Sequence, residues 1–264
     1  MPFRIDHAGL TDVGHQRTHN EDAMLIDPDY GLYVICDGMG GHASGAVASQ
    51  LAIATIREVI HVGQPPSPPG EEPLVTAIKY SNQSVYSQSL ADPECHGMGT
   101  TVIGIRQEDD IFHVCHVGDS RIYLLRGGEL HQVTRDHSLI NLYADNPELA
   151  GKLGPAHSNI IVRAVGLRDN VEVDHRRMAL EHGDVFLLCC DGLTDMVEDW
   201  MIREMITSGD DLATTAVNLV RAANANGGVD NITVILLRAV EEPGDPSFDN
   251  SNPGYGGSNP PSFG

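Results

Sequence analysis

Apolar residues along this chain follow two rhythms. The first is short and nearly unbroken. Residues 32–36, 111–117, 184–190 and 231–237 are almost wholly apolar, and a Gly, Asp or Asn bounds each run at one end or the other. Runs of that length, ended by turn formers, predict buried strands. Shorter runs at 23–26, 100–105, 121–125 and 129–133 predict more. Gly127-Gly128 marks a hairpin turn, and residues 118–120 a tight turn within what reads as an antiparallel meander. Residues 27–31 are the turn joining the first two strands.

The second rhythm is helical. Val47, Leu51, Ala54 and Ile60 share one face of a helix over residues 46–60, with Ser44 as candidate N-cap. Leu74, Ile78 and Val85 mark a second helix over 72–90. Leu212, Ala216, Leu219, Val220 and Ala223 mark a third over 210–223. A proline-rich connector covers 64–73, and residues 138–160 read as an irregular excursion. From residue 241 the chain is mostly Pro, Gly, Ser and Asn. Such a segment builds no core and predicts a disordered tail over 241–264. One domain over 5–240 fits the length, because single cores stop growing near ~250–300 residues.

Charge narrows the partners. The formal net charge is -21, which argues against nucleic acid or an anionic membrane surface. No apolar run reaches the ~18 residues of a membrane span, and the first residues lack the apolar stretch of a signal peptide. The cytoplasm is the expected compartment. The five cysteines, four of them in strand-like runs, predict free buried thiols rather than disulfides.

The acids carry the chemistry. Asp22 and Asp230 precede apolar strands, Asp37 and Asp191 follow them, and Asp119 sits in a turn between two. In antiparallel sheets one strand's end lies beside its neighbour's start, so these carboxylates can gather along one edge. Gathered carboxylates with no comparable basic cluster need a hard cation. Oxygen-only ligands suit Mg²⁺ or Mn²⁺ better than Zn²⁺. Asp-Gly is also an ordinary turn sequence, but turn preference alone would not place five aspartates at the ends of apolar strands.

Eight pieces in order resemble the metal-dependent protein phosphatases, the PPM or type 2C serine/threonine family. They are GHQRTHNED (14–22), DGMGGH (37–42), GTT (99–101), VGDSR (117–121), TRDHS (134–138), RAVG (163–166), DGLTD (191–195) and DNIT (230–233). The compact form is similar to bacterial members. The resemblance implies an α+β fold, a four-layer α-β-β-α sandwich of two stacked antiparallel sheets flanked by helix pairs. It implies hydrolysis of phosphoserine and phosphothreonine by a water or hydroxide bridging two Mg²⁺/Mn²⁺ ions.

It also implies the site residues. Asp37 bridges the metals, with the Gly38 carbonyl on one of them. Asp191 and Asp230 complete the first ion's ligands. Asp22 and Glu21 act nearby, partly through water, and Asn231 supports them. Asp119 matches a holder of a third, weaker metal, and Arg17 matches the arginine that grips the substrate phosphate. Residues 138–165 fall where the family carries its flap. The implied partners are phosphoproteins, substrates of a serine/threonine kinase, with a monomer expected.

One position departs from the pattern. Some relatives place a histidine directly after the Asp-Gly pair; here Met39 stands there and cannot donate a proton. His42 is near, but a histidine at a helix start is more often structural or exposed. Three other functions compete with the main one. Cys115 to Arg121 fits the Cys-x5-Arg loop of cysteine-dependent phosphatases, although a strand rather than a helix is expected after it. A non-catalytic phosphoprotein binder would have lost carboxylates that are all present. A small-molecule phosphomonoesterase would keep the same chemistry.

Overall fold

The structure, a computed structural model, describes residues 3–40, 44–63, 68–144 and 160–242. Most of the expected flap, His42, part of the proline-rich connector and the tail from 243 lie outside the described residues. Two antiparallel sheets form the centre. The first runs β1 (Phe3–Asp12), β11 (Ile232–Glu241), β10 (Val185–Cys189), β7 (Arg121–Arg126), β8 (Glu129–Gln132). The second runs β2 (Asp22–Asp27), β3 (Leu32–Met39), β5 (Val102–Glu108), β6 (Ile111–Val117), β9 (Asp174–Ala179), with β4 (Gly99–Thr100) paired to the end of β3. The helices are α1 (Ser44–Val62), α2 (Pro73–Ala91), α3 (Leu139–Ala144), α4 (Asp191–Thr194), α5 (Asp199–Thr207) and α6 (Leu212–Ala225).

Alternation along the strands builds four layers. Leu32, Val34 and Cys36 of β3 pack with Ala48, Ala52, Ile56 and Ile78 of α1 and α2. Tyr33 and Ile35 turn the other way and meet Phe186, Leu188 and Ile235 of the facing sheet. On that sheet Leu187, Cys189, Val234 and Leu236 pack against Leu212, Leu219 and Ala223 of α6. The central strands are therefore apolar on both faces, and their sequences read as unbroken runs for that reason. The order is α-β-β-α, as the resemblance implies.

The meander expected around 118–120 is corrected. β6 belongs to one sheet and β7 to the other, so that turn carries the chain between layers. Both strands are buried on both faces, so their period does not reveal the change of sheet. The expected strand over 100–105 is divided at Thr101, whose backbone N–H donates to the Asp37 carbonyl at 2.8 Å. The third helix begins two residues later than expected, with Asp211 capping it through the Thr214 N–H at 2.9 Å. The Gly127-Gly128 hairpin is present, with φ of 59° and 83°, values that a side chain disfavours. All five cysteines are free and buried.

Candidate metal centre

One end of the sandwich collects the strand-end acids. Asp22 and Asp37 are direct cross-strand partners of β2 and β3. Asp191 leaves β10 as the first residue of α4, and Asp230 lies just ahead of β11. Those two strands are antiparallel neighbours, so both acids emerge at the same end. Asp119 reaches it from the crossing between β6 and β7.

Backbone contacts hold this end tightly. The Asp37 N–H donates to Thr101 Oγ1 at 3.1 Å, and the Asp37 carbonyl accepts from Thr100 Oγ1 at 2.9 Å. The Gly38 N–H donates to the Glu21 carbonyl at 3.2 Å. A β-carbon at Gly38 would lie 2.1 Å from the Gly45 carbonyl oxygen, so only glycine lets β3 pass this close to α1. Asn231 stitches the loops: its Oδ1 accepts from the Glu21 N–H at 2.8 Å, and its Nδ2 donates to the Val13 and His19 carbonyls at 2.9 and 3.0 Å. Asp22 is 8% exposed, and its Oδ2 accepts from Thr233 Oγ1 at 2.6 Å.

Arg17 arrives on a loop pinned by His15 and Gln16, whose N–H groups donate to the Gly228 carbonyl at 2.7 and 3.1 Å. Its Nη2 donates to Asp230 Oδ2 at 2.6 Å. Among the described residues this is the only ion pair made by the five aspartates.

Electrostatics expose the strain. Burial, then the charges of Asp22, Asp191, Asp230 and Asp119, push the Asp37 carboxyl well above its ordinary value. Burial first and neighbouring acids second also lift Asp22 and Asp191 to about 6. Asp119 rises to about 7, again through burial first and then Asp191. Its Oδ1 is buried with no hydrogen-bond partner. Mutually repelling, part-buried oxygens with an orphaned acceptor fit a divalent cation, which would offset their charge and fill that acceptor's coordination. The donor set is oxygen except for Cys190, whose sulfur lies near Asp22 and Asp37. Burial and those acids drive that thiol far up, and its sulfur is engaged by the Thr233 N–H and the Asn231 carbonyl.

All nine residues singled out in sequence (Arg17, Glu21, Asp22, Asp37, Gly38, Asp119, Asp191, Asp230 and Asn231) belong to this end or to the loops that support it. Sequence reasoning assigned no task to Thr100, Thr101, Ser120, Thr233 or Cys190. Thr101 Oγ1 also meets Ser120 Oγ at 2.8 Å, linking the Asp37 strand to the Asp119 turn. The Cys115 loop is not a phosphate cradle. Burial drives its thiol far up, strand β7 follows, and Arg121 is held by Asp136 through Nε and Nη2 at 3.0 and 2.7 Å.

The fold and these acids define a class: a four-layer sandwich with a carboxylate cation centre at one end of its sheets. The family model described as protein phosphatase 2C matches residues 13–225, and the chain belongs to that family, an enzyme family of metal-dependent protein phosphatases. It is 38% identical over 250 residues to the protein phosphatase PhpP of Streptococcus pneumoniae, covering 88% of this chain and 97% of that one. The serine/threonine phosphatase PstP/Ppp of Mycobacterium tuberculosis superposes with a TM-score of 0.78 at 34% identity, over 90% of this chain and 99% of the other. A PstP catalytic domain in complex with two manganese ions gives 0.78 at 35% identity, over the same shares.

Proposed function

We propose that this chain hydrolyses phosphoserine and phosphothreonine in proteins, with two Mn²⁺ or Mg²⁺ ions held at the carboxylate end. The carrying observation is the convergence of Asp22, Asp37, Asp119, Asp191 and Asp230, where burial first and mutual repulsion second raise four of them together. In this reading Asp37, the Gly38 carbonyl, Asp191 and Asp230 are the principal ligands. Asp22 contributes beside them, and Asp119 serves a third ion. Glu21 and Asn231 support the ligands from behind. When bound, the ions supply Lewis acidity that activates water and offsets charge on the phosphoryl group.

The chain's own residues do the rest. Thr100 and Thr101 fix the Asp37 backbone, which keeps its carboxylate aimed without a search through conformers. Arg17 binds the phosphate. Its side chain is about half exposed at the rim of the site, and its contact to Asp230 uses one of five guanidinium N–H donors. Met39 has no proton to give, so the leaving-group proton comes from another source. The substrates are those of a serine/threonine kinase. The phosphatase domain spans 5–240, acts as a monomer and works in the cytoplasm; among the described residues no helix is long and apolar enough to cross a membrane.

The test is phosphopeptide hydrolysis with Mn²⁺ or Mg²⁺ against a chelator, run beside Asp191→Ala. The expected result is activity that requires the ion and disappears in the variant. Activity that survives both treatments would overturn the metal mechanism. Hydrolysis of small phosphomonoesters with none on phosphopeptides would overturn the substrate class.

A further inference from the structure

A second group of metal-type donors lies away from the carboxylate end, on the α1/α2 face of the second sheet. His113 is on β6 and His175 on the edge strand β9. Cys115 is registered opposite His175, which sets His113 on the diagonal of the same face. Diagonal partners are ~7–8 Å apart at the backbone, within reach of two imidazoles. The rings lie 5.3 Å apart and nearly parallel. His113 Nδ1 is 3.0 Å from His175 Nε2. Glu72, the N-cap of α2, brings its Oε2 to 2.9 Å from the same His113 Nδ1. One donor atom from each of the three residues lies within 4.8 Å of the others.

Counting protons shows what is missing. His113 Nε2 is 3.0 Å from Glu108 Oε2. His113 Nδ1 faces a second carboxylate, Glu72 Oε2, at 2.9 Å. Carboxylates only accept, so without an ion the ring satisfies both of them only as an imidazolium donating from each nitrogen, and His175 Nε2, 3.0 Å from the same Nδ1, competes for that one proton. A cation in place of that proton satisfies all three: Nε2 still donates to Glu108, and Nδ1, Glu72 Oε2 and His175 Nε2 each face the ion with a lone pair. Burial first, with His113 adding to it, lowers the proton affinity of His175, which keeps its ring available as a ligand.

The surroundings have the form of an outer shell. Metal-bound histidines commonly donate their other N–H to a carboxylate, and Glu108 stands in that place. Arg106 Nη2 contacts Glu72 Oε2 at 3.1 Å while its Nε holds Oε1, which fixes the plane of the carboxylate. His113 is 5% exposed, whereas His175 and Glu72 border an open cleft with Glu71, Lys79 and Glu172. The inner ligand is thus rigid and the outer side reachable from solvent.

We propose that Glu72 Oε2, His113 Nδ1 and His175 Nε2 form a second cation site, chemically distinct from the carboxylate centre and suited to Zn²⁺. Two imidazoles and one carboxylate match the N/O preference of Zn²⁺ and suit Mg²⁺ poorly. The fourth position faces the cleft. An ion there ties the edge strand β9 to β6 and to the start of α2, and takes no part in phosphate hydrolysis.

The test uses the full chain in saturating Mg²⁺, so that the carboxylate centre is filled. Zn²⁺ is titrated by calorimetry, and Co²⁺ by its visible spectrum. One equivalent of Zn²⁺ should bind with micromolar affinity, and Co²⁺ should show the strong bands of nitrogen ligation. His175→Ala should weaken binding by about 10- to 100-fold while Mg²⁺-supported phosphatase activity stays unchanged. Asp191→Asn should keep the Zn²⁺ equivalent, which separates the two sites. His175 is exposed on an edge strand, so its variant keeps the fold. Absence of a Zn²⁺ equivalent above the Mg²⁺-loaded protein would overturn the proposal. So would equal Zn²⁺ affinity in His175→Ala, or an imidazole spectrum showing His113 protonated on both nitrogens with Zn²⁺ present.

Discussion

Strand β10 carries an aspartate at each end, and the two live in opposite circumstances. Asp184, ahead of Val185, is 1% exposed. Its Oδ1 and Oδ2 accept from Arg126 Nε and Nη2 at 2.8 and 2.6 Å, and Oδ2 also accepts from the Glu181 N–H. Asp191, just past Cys190, has anions for neighbours. Among the described residues no Lys or Arg pairs with it, and Asp195 and Asp230 add to burial in raising it to about 6. A buried acid needs a cation. The fold supplies one at Asp184, which makes that acid structural. At Asp191 it supplies none, and the proposed ion would fill that place. The adjacent residues look alike in sequence, since both acids flank the same apolar run.

The sharpest way to break this comparison is to neutralise each end. Asp191→Asn should lower phosphatase activity by about 10³-fold or more, because several kcal/mol of Lewis-acid stabilisation is at stake and each decade is ~1.4 kcal/mol. Its chelated form should melt no lower than the parent, since a repelling charge has gone. Steady-state kinetics and a thermal melt in chelator report both. A melt well below the parent would show that Asp191 is structural after all. Asp184→Asn should do the reverse. Breaking a buried pair costs ~3–5 kcal/mol, and Arg126 is about a third exposed, so about 2–3 kcal/mol is expected. Denaturant unfolding measures it, and activity per folded molecule should stay near the parent's.

Arg17 sharpens the picture from the rim. Arg17→Ala removes charge-assisted contacts to phosphate and should reduce kcat/KM by about 10- to 100-fold, the equivalent of ~1.5–3 kcal/mol. Its ion pair with Asp230 is about half exposed, so the folding midpoint should hardly move. A large stability loss with unchanged kcat/KM would place Arg17 with Arg126 as a structural cation.

How far this contrast was legible in sequence depends on what each residue neighbours. Strands β3, β10 and β11 were readable because both faces are covered and nearly every position over 32–36, 185–189 and 232–237 is apolar. Edge strands β1 and β9 were not. β9 reads Asp-His-Arg-Arg-Met-Ala and is held by pairing to β6 alone, while His7 interrupts the alternation of β1. Helix α5 was also missed, because only Ile202 and Ile206 of its nine residues are buried. The acids at strand ends stood out because charge there contradicts its apolar surroundings. Thr101 and Thr233 did not, since threonine is an ordinary strand residue and its hydroxyl's task depends on a partner far away in the chain. Glu72, His113 and His175 come from a helix start and two strands, so only the β6–β9 register brings them together.

The smallest effect concerns pH, and it belongs to the acids gathered at the Asp191 end of β10. Asp22 and Asp191 sit at about 6 and Asp119 at about 7 in the fold, against an ordinary 3.8. The folded chain therefore binds protons between pH 4 and 7 that the unfolded chain does not. Stability from these groups is full below the unfolded value and is lost as pH rises through the folded one. Chelated protein should consequently melt higher at pH 5.5 than at pH 7.5, by a few degrees if the net gain is ~1 kcal/mol. Saturating Mn²⁺ should reverse the trend, because protons then compete with the ion for the same oxygens. The carboxyls held low by hydrogen bonds, Asp12 and Asp211 among them, titrate below this window and do not blur it. In chelated Asp191→Asn the acid stabilisation should shrink, since one raised carboxyl is gone. An unchanged pH trend in that variant would mean that the repulsion driving it lies elsewhere.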